Sequence, residues 1–302
     1  MIEFWQSLKI ALRALRVNKM RSFLTMLGII IGIASVIAMV AIGSGAEKKI
    51  SEQIASMGSN LILVIPGSTT SGGLRIGPGA APTLTYDDAR AIKAECPSVD
   101  AAAPNVRGGG QVVYGNQNWS TQIQGVTPDF LIVREWSLVS GRGFTQSDVD
   151  GATKNCIIGQ TIADELFGAT DPVGKIIRIR KIPFTVIGLL DKKGQSPQGT
   201  DQDDIVLIPV RTAQRKVFGS PFPNAVGAIM VRAKGSDVLT KAEEEVTALL
   251  KQRHRIGANK ENDFTVRNLS ELLSVASSSS QTMSLLLGAV ASISLVVGGI
   301  GI

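Results

Sequence analysis

The segment GATDPVGKIIRI, which begins at Gly168, is the stretch most suggestive of chemistry, because glycines followed by Gly-Lys are typical of a phosphate-binding loop. That loop has four residues between its glycines and then Lys and Ser or Thr, so that backbone amides wrap the phosphates and the hydroxyl reaches the metal. Here five residues separate Gly168 from Gly174, and Ile176 occupies the hydroxyl position. We therefore interpret the segment as a turn followed by a strand, 175–179, whose partner is a strand at 184–190.

Residue types that could catalyse a reaction or bind a metal are sparse elsewhere. His254 is the only histidine and lies among cations in KQRHRIG, so we expect it on the solvated surface. Asp201, Asp203 and Asp204 resemble half of a calcium loop but lack its Gly and terminal Glu, which predicts a solvated loop. The serine run 277–280 is interpreted as the polar end of a helix rather than as a nucleophile site. Because the chain has no GxSxG, HExxH or CxxC motif, we expect no catalytic, cofactor-binding or metal site on it.

The two cysteines, Cys96 and Cys156, leave two interpretations open. An extracytoplasmic location would permit a disulfide between them. The sequence gives no reason for the two positions to meet in space, so two unpaired thiols are the favoured interpretation and the disulfide is the alternative.

The positive charge is concentrated at the N-terminus. The 302-residue chain has a net charge of +6, and residues 1–22 carry five basic side chains against Glu3. The rest of the chain is nearly neutral and has no basic patch interleaved with aromatic residues, which excludes a nucleic-acid partner. The basic leader also has an amphipathic helical pattern, so we expect residues 1–22 to form a helix on the inner membrane face with Trp5 at the headgroups.

Two uncharged stretches predict transmembrane helices. FLTMLGIIIGIASVIAMVAI begins at Phe23 and MSLLLGAVASISLVVGGIGI fills 283–302, and each is 20 residues long, enough to cross a hydrocarbon core of about 30 Å. We place the first span at 23–43; a cleaved signal peptide is the alternative, although the leader before the apolar run is long for one. Small residues in the spans, namely Gly28, Gly32, Gly298 and Gly299, are weak candidates for close helix packing.

The basic leader also predicts the orientation. Lys and Arg concentrate before the first span, so the N-terminus is expected in the cytoplasm and residues 44–282 outside it. Helical patterns at 44–58 and 269–282 predict stalks that continue both spans outward. Since the chain stops on an apolar run without a charged flank, we expect it to be the front part of a longer polytopic protein.

The outer region is predicted to be mixed α+β. Thr85 is a plausible cap for a helix at 86–95, with Asp87 and Asp88 in its first turn, and 67–82 is predicted to be a flexible loop. Strand-helix-strand patterns occur once before residue 127 and once after residue 225. The remaining helices are expected at 160–167 and 236–251. The remaining strands are expected at 60–65, within 111–126 around a Gly115-Asn116 turn, and at 155–158, 205–208, 228–231 and 264–267; the segment 138–144 is harder to interpret.

The order of these parts resembles one family, the MacB-type ABC transporter permeases. The resemblance is carried by the opening SLKIALRALRVNKMRSFLTMLGIIIGIASVIAMVAIGSGA, then GSNLILVIPG, SGRGF, DPVGKIIRI with FTVIGLL, and the closing SLLLGAVASISLVVGGIGI. It implies a MacB-type periplasmic core domain of two lobes. One is porter-like and discontinuous, 59–126 and 226–268, and the other is inserted at 127–225.

The resemblance further implies a permease of the bacterial cytoplasmic (inner) membrane. Such a permease couples ATP hydrolysis by a separate ABC ATPase, which binds ATP and Mg²⁺, to movement of the extracytoplasmic domain for export of drugs, peptides or lipoproteins. It implies a permease homodimer in the lipid bilayer and a periplasmic adaptor protein as partners. Two features depart from the family: nothing here matches its ATPase, and its coupling helix and two further spans are missing.

Two other classes share the topology of an outer domain between two spans. One is a membrane-anchored sensor whose extracytoplasmic domain binds a ligand and signals inward. The other is an anchored extracytoplasmic hydrolase, which the absence of catalytic motifs disfavours.

Overall fold

The structure is a computed structural model that describes residues 19–55, 60–257 and 260–268, with gaps at 68, 72–73, 78–81, 197–198, 220–221 and 223, and a few isolated residues toward each end. The chain divides into two compact units. Met1–Ser51 with Leu273–Ile302 forms one, and Glu52–Leu272 forms the other. The predicted second span, its stalk and most of the leader lie outside the described residues. The lobe boundaries at 126/127 and 225/226 stay predictions.

The described elements are numbered here in chain order. The helices are α1 (Lys19–Ala55), α2 (Tyr86–Glu95), α3 (Asp129–Val133), α4 (Gln146–Asp150), α5 (Gln160–Phe167), α6 (Val210–Thr212), which continues into the π-helical turn Ala213–Phe218, and α7 (Leu239–Arg253). The strands are β1 (Leu61–Pro66), β2 (Thr69–Ser71), β3 (Leu74–Ile76), β4 (Val99–Tyr114), β5 (Gln117–Val126), β6 (Leu138–Gly141), β7 (Asn155–Ile158), β8 (Ile176–Ile179), β9 (Ile182–Leu190), β10 (Ile205–Pro209), β11 (Ala228–Ala233) and β12 (Phe264–Asn268).

One mixed sheet organises the described part of Glu52–Leu272. Its strand order is β12-β1-β11-β4-β5-β10-β7-β9-β6, and β8 joins it by pairing with β4 and β9. The strands β1, β4, β11 and β12 with the crossover helices α2 and α7 give the order β12-β1-β11-β4, which is that of a βαββαβ unit of ferredoxin-like topology. The strands β5 to β10 lie between the two halves of that unit in the sequence.

The strand β4 belongs to both parts of the sheet. Its first half pairs with β11, from Val99 to Asn105, and its second half pairs with β5, from Val106 to Tyr114. A turn at Gly115, which has a φ of 56°, closes the β4–β5 hairpin, because glycine adopts the left-handed conformation without steric cost. The predicted hairpin is confirmed, but β4 begins twelve residues earlier than the predicted strand at Gln111.

Three apolar clusters form the core. One lies between α2, α7 and the β12-β1-β11-β4 part of the sheet and includes Ile62, Ile92 and Val246. A second packs α5 against the rest of the sheet around Ile162 and Phe184. A third has Phe130, Trp136 and Leu190 among its members. Full burial of a side chain such as Phe130 or Phe184 contributes about 2–3 kcal/mol to stability through removal of apolar surface from water.

Most predicted elements are confirmed, and the differences have local causes. The helix 160–167 is confirmed at both ends, since Gly159 and Gly168 flank it. The loop prediction for 67–82 was partly wrong, because β2 and β3 pair within it as a small hairpin. The helix predicted at 236 begins at Leu239 instead, and the segment 138–144 supplies only the short strand β6.

Candidate functional site

The helix α1 is the element by which the chain could enter a membrane. It contains 37 residues, and its stretch Met26–Gly45 is long and apolar enough to span a bilayer by length and composition. The predicted first span is thereby confirmed as such a helix. Gly28 has open space around it in this chain, whereas Gly298 and Gly299 lie outside the described residues, so a role of these glycines and of Gly32 in helix packing stays a prediction.

An open cleft of about 810 Å³ lies beside α2 in the sheet domain. Its small, apolar lining comes from alanines of α2 and from Ala102 and Pro104 of β4, and its other wall comes from Thr127 and the helices α3, α4 and α6. Thr127 is 5% exposed, and its hydroxyl oxygen has no hydrogen-bond partner among the described residues. Buried polar atoms are normally satisfied, so this hydroxyl is an exception in the wall of the cleft.

Charged contacts bridge this cleft. The Nζ of Lys93 lies 2.7 Å from Oδ1 of Asp129, which joins α2 to α3. At the N-terminus of α2, the amide of Gln146 donates to the Tyr86 hydroxyl at 3.3 Å, and the Arg211 guanidinium lies 5.4 Å from the centroid of the Tyr86 ring. These contacts are exposed or partly exposed, and exposed ion pairs contribute only about 0.2–1 kcal/mol each. The two walls of the cleft are therefore joined by contacts that each contribute little to stability.

Next to the cleft, the buried Asp88 joins the helices α2 and α7. Through His254 it is also linked to Asp263, just before β12. Asp88 is 3% exposed and forms a capping box with Thr85 at the start of α2, so the predicted cap is confirmed. Its other bonds come from the end of α7, where Arg253 Nε donates to Oδ1 at 2.8 Å and His254 Nε2 lies 3.3 Å from Oδ2. His254 Nδ1 lies 2.8 Å from Oδ1 of Asp263, just before β12.

The surface position predicted for His254 was therefore wrong. Its side chain is 9% exposed and lies between two carboxylates, with its ring edge-on to Phe264. The charged residues next to His254 in the sequence favour a solvent-exposed position, but hydrogen bonds to Asp88 and Asp263 bury the imidazole. The hydrogen bond with Asp88, followed by that with Asp263, raises the pKa of His254 although burial opposes protonation.

The same cluster determines the ionisation of Asp88. Burial raises the pKa of a carboxyl group, but hydrogen bonds from His254, Thr85 and Arg253 outweigh that effect and hold the pKa of Asp88 well below its ordinary value. The carboxylate is charged across the physiological range. The cluster can bind protons and hold elements together, but it contains no nucleophile.

The acidic cluster at 201–204 is also built into the fold, so the prediction of a solvated loop was wrong. Asp203 is 1% exposed and accepts hydrogen bonds from the backbone N–H groups of Lys193 and Gly194, each at 2.8 Å. Asp201 accepts from the Thr161 hydroxyl and from the N–H of Asp203. These carboxylates tie the loop after β9 to α5, and no set of groups suited to a metal ion occurs among the described residues.

Lys193, in that loop, is a half-buried cation that sequence reasoning missed. Its Nζ donates to the carbonyl of Arg134 at 2.6 Å and lies 5.5 Å from the centroid of the Trp136 ring. Burial and the nearby Arg134 lower the pKa of Lys193 to about 8. Its long side chain braces the loop against the indole ring, and no sequence motif marks it.

The segment SGRGF lies beside Asp148, another buried carboxylate whose hydrogen bonds the sequence did not predict. Asp148 forms a capping box with Thr145 at the start of α4, and Arg142 donates to its Oδ2 at 2.8 Å. Asn155 of β7 donates to Oδ1 at 2.8 Å. The Arg142 guanidinium is the largest cause of the lowered pKa of Asp148. The T-x-x-D spacing from Thr145 was the signal that could have revealed this cap.

The two cysteines are unpaired and buried, which confirms the favoured interpretation. Cys96 packs in the cluster beneath α2 and α7, and Cys156 packs in the cluster around α5. Burial raises the pKa of Cys156, and burial together with Glu245 and Glu95 raises that of Cys96 to about 11. Neither thiol is therefore activated as a nucleophile.

The segment GATDPVGKIIRI forms the turn and strand that the sequence predicts. Gly168 ends α5 with a φ of 58°, and Gly174 has a φ of 82° in the turn before β8. The register of β8 with β9 runs from Ile176–Thr185 to Ile179–Ile182. Gly174-Lys175 is thus the entry to a hairpin strand, and its N–H groups bond to Val186 and Pro172.

Comparison with protein families supports one assignment. The family described as MacB-like periplasmic core domain matches residues 22–249. The chain is 38% identical, over 99% of its length, to the macrolide export ATP-binding/permease protein MacB of Syntrophobacter fumaroxidans, and 39% identical, over 96%, to that of Bdellovibrio bacteriovorus. It spans 49% and 44% of the length of these two relatives.

The fold is also found in a solved structure. The periplasmic region of MacB from Actinobacillus actinomycetemcomitans superposes with a TM-score of 0.58 at 24% identity, covering 76% of this chain and 97% of that one. At this identity the likeness concerns the fold alone. The mixed sheet domain predicted from the sequence is therefore that of a known extracytoplasmic domain.

Proposed function

We infer the function of this chain from one premise: it belongs to the family with a MacB-like periplasmic core domain and is a permease component of a MacB-like ABC transporter. We propose that it couples ATP hydrolysis by an ABC ATPase to movement of its sheet domain, and that this movement drives export of drugs, peptides or lipoproteins. ATP and Mg²⁺ bind to the ATPase in this proposal. Family membership favours this function over the sensor and the hydrolase.

The proposed topology follows from the same premise. The N-terminus lies in the cytoplasm, 23–43 and 283–302 cross the bacterial inner membrane, and 44–282 lies outside it. Two copies of the permease assemble with the ATPase, with Gly28, Gly32, Gly298 and Gly299 in helix contacts, and a periplasmic adaptor protein docks on the outer domain. The basic leader supports this orientation.

One observation carries the mechanical part of the proposal. The helix α1 is continuous over 37 residues, so it is about 55 Å long, which exceeds the hydrocarbon thickness of about 30 Å. The helix that spans the membrane therefore continues beyond it without a break. Because a helix is stiff along its axis and packed cores resist deformation, such a rod can transmit a displacement from one face of the membrane to the other.

A pair of insertions tests this coupling. Four alanines inserted after Lys48 lengthen α1 by about one turn and keep it helical, whereas four glycines add the same length but cost about 4 kcal/mol of helix propensity. In proteoliposomes that contain this chain with its ATPase, we expect both variants to hydrolyse ATP. Export should survive in the alanine variant and fall severely in the glycine variant.

Two results would contradict the proposal. Equal export by the alanine and glycine variants would exclude coupling through a rigid α1. Failure of the chain to associate with an ABC ATPase, or to change its hydrolysis rate, would remove the transporter assignment itself.

A further inference from the structure

One solvent-facing side of the sheet carries cations without acidic neighbours. On β4, β5 and β8, alternate residues such as Val112, Ile123 and Ile179 are fully buried, and the residues between them face solvent. The exposed positions that matter here are Arg107, Gln111, Gln122, Arg178, Arg180 and Lys181, which we name the basic face.

The strand register brings these side chains together. Val113 of β4 pairs with Arg178 of β8, and Gly109 of β4 pairs with Gln122 of β5. A cleft of about 550 Å³ is lined by Gly109–Gln111, Val113, Arg178, Arg180 and Lys181. Gln111, Arg178, Arg180 and Lys181 therefore line one cleft, and the strand register places Gln122 opposite Gly109 in its wall.

The charge of this surface is uncompensated. The segments 101–128 and 172–190, which supply it, contain no Asp or Glu, although they contain Arg107, Lys175, Arg178, Arg180 and Lys181. Within the part of the chain that the structure describes, no carboxylate forms an ion pair with Arg178 or Lys181. Asp204, which lies close to β5, is engaged by the Trp119 indole N–H at 2.9 Å.

Arg180 is held in place for an acceptor. Its guanidinium donates to the carbonyls of Gly109 at 2.7 Å and Val217 at 3.2 Å and lies 5.3 Å from the centroid of the Phe218 ring. A guanidinium has five N–H groups, so three are left to donate to another group. A Cβ at Gly110 would clash with Cδ1 of Ile123 and come within 3.2 Å of the Arg180 side chain, so this glycine leaves room for Arg180 to cross the edge of β4 toward Phe218.

The turn that presents the cations is itself unusual. Arg180 and Lys181 have φ values of 46° and 73° in the two-residue loop between β8 and β9, a conformation for which Asn-Gly is strongly preferred. Two long cationic side chains occupy a backbone conformation that disfavours them. Such a departure from local preference is expected where a side chain serves binding rather than folding.

We propose that the basic face binds an acidic segment of another polypeptide. Carboxylates match the fork of an arginine and the N–H donors of the glutamines between the cations. A lipid surface fits less well. Membrane-binding faces present Trp, Phe or Leu side chains, whereas the large apolar side chain exposed on β8 is Ile176. The inference goes beyond the proposed function, because it assigns a binding surface to this chain whatever protein supplies the segment.

The test uses the full chain in neutral detergent and a fluorescein-labelled deca-glutamate peptide, with deca-glutamine as the comparison peptide. Fluorescence anisotropy at low salt, about 20 mM, keeps electrostatic contacts unscreened. The variant Arg178→Gln/Lys181→Gly should bind deca-glutamate about tenfold more weakly, since each exposed ion pair contributes up to about fivefold. Lys241→Gln/Lys251→Gln, at exposed positions of α7, removes the same charge elsewhere and should change affinity less than about twofold.

Loss of peptide affinity through unfolding of the variant can be distinguished from loss of the binding surface. Lys181→Gly relieves the left-handed turn, so the variant should unfold at a temperature no lower than wild type. The proposal fails if the α7 variant loses as much affinity as the turn variant, or if deca-glutamine binds as well as deca-glutamate. It also fails if anionic lipid added to the micelles displaces the peptide from the basic face, which would make that face a lipid site.

Discussion

Replacement of Asp88 by Asn tests whether the buried cluster next to the cleft stabilises the domain through charge. The amide keeps the shape of Asp88 but loses the charge that Arg253 and His254 bond, together with part of the capping box with Thr85. A lost cap costs about 1 kcal/mol, and a hydrogen bond to a buried charged group about 1.5–3 kcal/mol. Because Arg253 is partly exposed, we expect a total loss of about 3 kcal/mol in the free energy of unfolding.

The loss should depend on pH in a defined direction. The folded-state pKa of His254 is raised, chiefly by Asp88, so its stabilisation is complete below the unfolded pKa of about 6.5 and disappears as pH rises through the folded pKa. Asp88→Asn removes that stabilisation, and it should therefore destabilise by about 3 kcal/mol near pH 6 and by less as pH rises through the folded-state pKa of His254.

Urea unfolding of the full chain in detergent, followed by tryptophan fluorescence, measures this difference, and the slope of the transition must stay unchanged for the comparison to hold. Asp87→Asn is the matched control, because Asp87 is exposed in the same first helical turn and should cost about 0.5 kcal/mol or less. Equal losses in the two variants, or a loss for Asp88→Asn that is the same near pH 6 and near pH 9, would refute the argument.

Further predictions concern His254, the two cysteines and two glycines. His254→Gln should lower the unfolding free energy more near pH 6 than near pH 9, measured by the same urea titration, because the raised pKa of His254 stabilises the folded protein only while the imidazole is protonated. Cys96 and Cys156 should resist iodoacetamide near pH 8 until urea unfolds the domain, as followed by mass spectrometry, because both thiols are buried with raised pKa values; labelling of the native protein would contradict this. Gly159→Ala should cost more than about 2 kcal/mol, since its Cβ would lie 2.1 Å from a backbone oxygen. Gly174→Ala has open space and only a positive φ, so thermal unfolding should show a loss of about 1 kcal/mol.

Local sequence patterns were sufficient wherever the determinant was local. Thr85, with Asp87 and Asp88 after it, predicted the start of α2 because a cap is recognised within three residues. The helix predicted at 160–167 ends where Gly168 follows it with a φ of 58°, a value that favours glycine. The alternation in 175–179 likewise predicted a strand there, paired with the strand at 184–190, and β8 and β9 do pair.

The failures share a different physical origin. The first half of β4 reads VDAAAP, which has low strand propensity, and it becomes a strand because β11 pairs with it and apolar side chains cover it. His254 and Asp203 were predicted on the surface from their charged neighbours. Their burial depends on acceptors and donors that lie far away in the sequence, Asp88 for His254 and the backbone of Lys193 for Asp203, and no local pattern contains those partners.

The position of β1 has a consequence for biogenesis. This apolar strand lies between β11 and β12, with Ile62 opposite Val231 on one side and Asn268 on the other. Both partners are synthesised more than 160 residues later, so β1 is made long before either is available. The uncharged strand LILVIP therefore has neither sheet partner while the intervening residues are being synthesised, which is when an apolar strand is most prone to aggregation. Completion of this part of the sheet therefore requires the whole segment through Asn268, although β1 itself ends at Pro66.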